Sequence, residues 1–337
     1  MTRPDTLVLM PAQSWDQQFD QARLDRLRSL ARVGDPVWLP DLAAPELTTR
    51  LAGVEVLLTG WGTPPLDEAA LARLPRLRAV LHCAGTVRTF ASTAVWERGI
   101  LVSSSAEINA EPVAEYTLAA IIMAGKKAPF LAADARLHRT YQAQPHHRGP
   151  LSNTGLTIGI VGFSRIGRRV VELVNQVLRD ARCLVADPFA DPDDVRRCGA
   201  EPTELDDMLP QLDILSIHAP ELPSTRHMIG ATQLAALPDH TTVVNTARGS
   251  LIDTTALERE CLAGRLHAIL DVTDPEPLPA ASPLYDLPNV MITPHVAGSA
   301  GSEVLRMTDG ALDELARFAA GQPLRRPVLL DHLEQTA

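Results

Sequence analysis

Positive charge never accumulates in this chain: no lysine- or arginine-rich block runs beyond a doublet such as Arg168-Arg169 or Arg325-Arg326, and the formal net charge is −10. Neutralising a phosphate backbone takes clustered cations, so a nucleic-acid groove is disfavoured. Long apolar runs are missing too, with none approaching the roughly eighteen residues that a membrane span requires. The apolar run Thr6 to Met10, interrupted by Pro11, is too short for a signal-peptide core. Cysteine is scarce. The four cysteines, Cys83, Cys183, Cys198 and Cys261, are far apart and form no CxxC pair or zinc spacing, which predicts reduced cytoplasmic thiols rather than a disulfide or zinc framework. Low-complexity segments are absent as well.

What remains is ordinary globular composition, 45% hydrophobic and 21% charged. At about 100–200 residues per domain, 337 residues predict two domains. Short apolar runs alternate with segments of helical period, the pattern of parallel strands joined by crossover helices. Leu7 to Met10, Val54 to Thr59, Ala79 to Cys83 and Ile100 to Ser103 read as strands, with helices at Phe19 to Val33 and Leu66 to Leu74. A helix is expected from Pro112 to Lys126, with proline at its first position, and Gln142 to Asn153 reads as a loop. Six more strands follow, at Leu156 to Val161, Cys183 to Ala186, Ile214 to His218, Thr242 to Thr246, Ala268 to Asp271 and Val290 to Thr293. That count fits a doubly wound dinucleotide-binding sheet. Gly301 to Ala319 is a final helix.

The segment Gly159-Ile160-Val161-Gly162-Phe163-Ser164-Arg165-Ile166-Gly167 lies where a phosphate loop belongs, between a buried strand and a helix. There a helix N-terminus aims N–H groups and a positive dipole end at a pyrophosphate. Ser164 stands where the usual G-x-G-x-x-G has its second glycine, and such a loop alone is weak evidence. Asp187 strengthens it. It follows the second strand, twenty residues past Gly167, where a carboxylate accepts from a ribose and repels a 2′-phosphate, so NAD is expected over NADP.

Three further segments end strands of the second half: Val244 to Gly249, Leu270 to Pro277, and Thr293 to Gly298. They supply Arg248, Glu276 and His295 to one rim, the groups needed to bind an anionic carbonyl compound and move a proton while a cofactor moves a hydride. Taken singly, each is also an ordinary rim residue. The His146-His147-Arg148 cluster does not read as a metal site, because adjacent histidines diverge and no acid or cysteine stands at ligand spacing.

With these motifs in order, from Asn109–Glu115 through His218-Ala219-Pro220 to Pro294-His295, the chain resembles the D-isomer-specific 2-hydroxyacid dehydrogenases. The resemblance implies an α/β fold of two Rossmann-like domains. A doubly wound NAD-binding domain over 112–298 would be inserted into a flavodoxin-like substrate domain made of 1–111 and 299–337. It implies NAD contacts from Gly162, Ser164, Arg165, Ile166 and Gly167, from Asp187 and Pro188, from His218, Pro220 and Thr225, and from Thr246, Ala247, Asp271 and Gly298. Arg248 would hold the substrate carboxylate and carbonyl oxygen, together with the loop Ala84-Gly85-Thr86. His295 would be the general acid/base and Glu276 its orienting partner, since a carboxylate beside histidine fixes its tautomer and favours the imidazolium. The implied protein is a cytoplasmic homodimer reducing a small 2-oxo acid or oxidising the 2-hydroxy acid in an interdomain cleft. Two departures bear on the substrate: Arg88 stands near where an acid is common, and Val272-Thr273 replaces a commoner valine-aromatic pair. A formate- or phosphite-type dehydrogenase and a non-catalytic NAD-sensing interaction protein are the alternatives on the same scaffold.

Overall fold

Most central strands are short runs rich in branched or leucine side chains, which alternate between two faces that both need covering. The computed structural model describes residues 3–139 and 146–332. These divide into two units, Met1–Asn109 with Ser299–Ala337, and Ala110–Gly298.

The first unit holds β1 (Asp5–Leu9), β2 (Arg32–Leu39), β3 (Val56–Thr59), β4 (Ala79–His82) and β5 (Leu101–Ser104). They form one parallel sheet in the order β2-β1-β3-β4-β5, which is flavodoxin-like. Leu7, Leu57 and Val80 face one apolar layer. Val8, Leu58 and Leu81 face the other, where Ala311, Leu312 and Leu315 of the helix Val304–Ala319 cover them.

The second unit holds β6 (Thr157–Val161), β7 (Arg182–Ala186), β8 (Glu201–Pro202), β9 (Ile214–Ile217), β10 (Thr242–Asn245), β11 (His267–Leu270) and β12 (Val290–Ile292). Their order is β12-β11-β10-β9-β6-β7-β8, a doubly wound sheet that changes direction between β6 and β9. Neighbouring residues split between the two layers, as Val243 and Val244 do. All pairings are parallel, so whatever follows the C-terminal end of each strand shares one edge.

The structure differs from expectation at two helices. The segment 19–33 is not one helix: Ala12–Gln18 and Gln21–Leu30 are helices, and β2 begins at Arg32. Gly34 and Pro36 hide that strand, which sits at a sheet edge where pairing slips between Thr6 and Val8 and proline is tolerated. The helix expected from Pro112 runs over Ala106–Gly125 with Pro112 inside it. The proline forfeits its own N–H bond, while Ala106 to Glu111 are helix-compatible and start on the Ser105 carbonyl. Of the loop expected at 142–153, residues 142–145 lie outside the described residues.

Candidate active site

Glycine is required at two points of the phosphate loop. Gly162 follows β6 at φ +92, and a Cβ there would lie 2.6 Å from the Ala219 nitrogen and 2.7 Å from the His218 carbonyl carbon. At Gly167 a Cβ would lie 2.0 Å from the Gly162 oxygen, so only glycine lets the helix Arg165–Val177 seat on the turn. Ser164 is exposed at the N-cap of that helix and makes no side-chain capping bond. Asp187, after β7, accepts from the Phe163 N–H through Oδ2 at 2.7 Å and from the Phe189 N–H through Oδ1 at 2.9 Å. It thereby ties the glycine loop to β7, and each oxygen keeps acceptor capacity.

After β9, His218 is buried, with Nε2 2.9 Å from Ser216 Oγ and Nδ1 without a partner among the described residues. Burial pushes its pKa down to about 3, so the ring is neutral. Thr225 donates to the Pro220 carbonyl at 2.6 Å and accepts from the Leu222 N–H at 2.9 Å, closing the next turn.

The Arg248 turn is shaped by Asn245, which accepts from the Ala247 N–H at 3.0 Å and donates to the Arg248 carbonyl at 2.8 Å. The half-buried Arg248 donates through Nη1 to the Ala247 carbonyl at 2.6 Å. Among the described residues no carboxylate pairs with it. A Cβ on Gly249 would lie 1.9 Å from the Thr273 carbonyl carbon, so glycine lets this turn press on the backbone leading to Glu276. Thr246 is buried 2.8 Å from Thr117 Oγ1, whose own proton goes to the Val113 carbonyl at 2.7 Å. Thr246 is therefore the donor of that pair.

Asp271 organises the next loop. Its buried carboxylate accepts from the Thr293 hydroxyl (2.6 Å) and the Val296 N–H (2.8 Å) through Oδ1, and from the Ala297 N–H (2.8 Å) through Oδ2. Its carbonyl accepts from the His295 N–H at 2.9 Å. His295 sits in the left-handed region at φ +55. Its Nδ1 lies 2.7 Å from Glu276 Oε1, and the two side chains are 50% and 44% exposed. Since a carboxylate only accepts, the proton sits on Nδ1 and Nε2 is left for exchange with a ligand. A pocket of about 300 Å³ includes Asp271, Glu276, Tyr285, Thr293 and His295 in its lining.

In the first unit, Ala84-Gly85-Thr86 follows β4. Apart from its chain neighbours, no atom of the described residues lies within 4 Å of a Cβ built on Gly85, and the Thr86 hydroxyl oxygen accepts from the Arg88 N–H at 3.3 Å. Beneath this loop His82 is buried with Nδ1 2.9 Å from Thr59 Oγ1, and burial pushes its pKa down to about 3. His147 and Arg148 both bond Asp134, an acid that the helix Ala128–His138 brings to them.

The structure thus brings Glu276 to His295, Asp271 to the 293–297 loop, Asp187 to the glycine loop, and the Arg248 turn to Thr273. Residues not foreseen as site residues are Asn245, Thr293 and Tyr116, whose hydroxyl lies 2.7 Å from Thr293 Oγ1. The Asn-x-Ala spacing was a legible turn signal for Asn245. Tyr116 lies inside a long helix and carried no such signal.

A family model of the D-isomer specific 2-hydroxyacid dehydrogenase NAD-binding domain matches residues 118–297, more than half of the chain. The chain belongs to this family. This dehydrogenase-family protein is 31% identical to D-3-phosphoglycerate dehydrogenase of Mycobacterium tuberculosis over 301 residues, covering 87% of this chain and 55% of that protein. It is 32% identical to glyoxylate reductase of Aeropyrum pernix over 265 residues, covering 77% and 78%. Its fold matches a phosphoglycerate oxidoreductase structure from Rhizobium etli at a TM-score of 0.82, with 24% identity and coverage of 98% and 99%. The chain spans about half the length of the phosphoglycerate dehydrogenases it matches. NAD is the cofactor of the matched domain, and the glycine cradle, uncapped helix start and spare Asp187 acceptors of this 2-hydroxyacid dehydrogenase domain fit it.

Proposed function

We propose that the protein interconverts a small D-2-hydroxy acid and its 2-oxo acid. NAD(H) supplies or receives the hydride at the substrate C2. The Glu276–His295 hydrogen bond, which leaves Nε2 as the exchangeable position, carries this reading. In reduction His295 gives the Nε2 proton to the carbonyl oxygen, and in oxidation it takes the hydroxyl proton back. Glu276 holds the ring and balances the charge of the imidazolium. Arg248, with no carboxylate partner among the described residues, grips the carboxylate and the carbonyl oxygen. The loop Gly162–Gly167 would hold the pyrophosphate and Asp187 the ribose, with the spare acceptor site on Asp271 Oδ2 toward the nicotinamide end.

No helix among the described residues is long and apolar enough to cross a membrane. We place the protein in the cytoplasm as a homodimer, a state that sedimentation measures. A panel of 2-oxo acids with NADH and NADPH tests the reaction. NADH should be turned over with the higher kcat/KM, and His295→Ala should cost roughly two to four orders of magnitude in rate. Turnover of formate or phosphite alone would move the reading to a different reaction, and NADH binding with no turnover would leave a sensor.

A further inference from the structure

We propose that Tyr116 is a positioning residue for proton transfer at His295, acting through Thr293 and Asp271. This rests on the reaction assigned above. Tyr116 lies on the helix Ala106–Gly125, far in sequence from the loop it touches. Its hydroxyl is 2.7 Å from Thr293 Oγ1, which is 2.6 Å from Asp271 Oδ1. The direction of the chain follows from proton counting. The Asp271 carboxylate accepts two backbone N–H groups as well, so it is the acceptor, and the single hydroxyl proton of Thr293 must go to it. Tyr116 is then the donor to Thr293. Burial, with a smaller contribution from the Asp271 charge, pushes the Tyr116 pKa up, so the phenol keeps the proton that it donates.

The consequence falls on His295. A histidine at positive φ persists only where its surroundings over-determine it. Here the constraints are the bonds from the His295 N–H to the Asp271 carbonyl, and from the Val296 and Ala297 N–H groups to the Asp271 carboxylate. The two carboxylate bonds work only while Asp271 holds one rotamer. Thr293 occupies the remaining site on Oδ1, and Tyr116 fixes the hydroxyl of Thr293. The loop is thereby pinned to a rigid helix, which keeps Nδ1 on Glu276 and Nε2 toward the ligand.

Tyr116→Phe, Thr293→Val and Thr293→Ser test this, first without cofactor. Amide hydrogen exchange at Val296 and Ala297 should quicken by about three- to tenfold in Tyr116→Phe, the effect of one hydrogen bond, and by more in Thr293→Val, while amides of β9 stay as they are. Thr293→Ser keeps the hydroxyl and should restore wild-type exchange. In turnover, Tyr116→Phe should lower kcat by a similar factor with little change in KM for the 2-oxo acid. Unchanged exchange at Val296 and Ala297, quickened exchange throughout the sheet, or a Thr293→Ser variant as impaired as Thr293→Val would each overturn the proposal. A wild-type protein that reduces no 2-oxo acid would overturn the reaction instead, and the exchange data would still decide whether Tyr116 orders the loop.

Discussion

Arg248 is half-buried on a turn that Asn245 ties from both sides, and among the described residues its side chain bonds only the carbonyl of Ala247. A cation partly withdrawn from water without an anion forgoes solvation that only a ligand can return. The planar fork matters as much as the charge, because two parallel N–H groups match a carboxylate and a single ammonium does not. Arg248→Lys should therefore lose about 2–4 kcal/mol of transition-state stabilisation in kcat/KM. A lysine variant close to wild type would remove Arg248 from the anchor role.

Among the elements, glycines let strand-end loops of the second unit approach one another, as at Gly249 and Thr273. Gly249 and Gly85 make opposite forecasts. An alanine at 249 must push into the Thr273 backbone, so Gly249→Ala should lower stability by about 1–3 kcal/mol, the usual cost of overpacking, and loosen the path to Glu276. At Gly85 a methyl group meets nothing within the protein, so Gly85→Ala should melt within about 0.5 kcal/mol of wild type yet raise KM for the 2-oxo acid. Thermal melts beside steady-state kinetics separate the two, and a Gly85→Ala enzyme with unaltered KM would take the substrate off that loop. The same scale shows what was legible in the chain. Strands such as β6, β9 and β10 are mostly apolar because parallel strands are covered on both faces, and the ionisable groups past their ends stand out. β2 and the two-residue β8 sit at sheet edges, where pairing on one side asks little of composition. The Tyr116–Thr293 contact joins residues 177 apart, and no local period encodes that.

At the scale of the whole molecule, buried titratable groups set a pH window. Burial pushes His82, His218 and His267 down to about 3, with Lys127 and Arg148 adding to the effect at His267. Below the ordinary histidine value of 6.5 the unfolded chain takes up protons that the folded chain refuses, so stability falls as pH drops from 6.5 toward 3. Each histidine contributes up to about 1.4 kcal/mol per pH unit. On the alkaline side burial pushes Cys83, Cys183 and Cys261 up to about 12. Above 9 the unfolded chain releases protons that the folded chain keeps, and stability falls again. Lys127, pushed down to about 8 by burial, works the other way between 8 and 10.5 and offsets part of that loss. Urea midpoints should therefore be level from about pH 6.5 to 8, rise slightly toward 9 and fall above it. His267→Leu should flatten the acid limb, since both ring nitrogens lack partners among the described residues; an unchanged slope would acquit that histidine.

The split of the first unit has a bearing on how the protein is made. Its five strands lie ahead of residue 110, whereas the helix Val304–Ala319 that covers Val8, Leu58 and Leu81 comes after the whole of the second unit. On a ribosome adding about 5–20 residues per second, that sheet face waits roughly 10–40 seconds for its cover. Until then the nascent chain carries the part of that apolar face that the helices Ala12–Gln18 and Gln21–Leu30 leave uncovered.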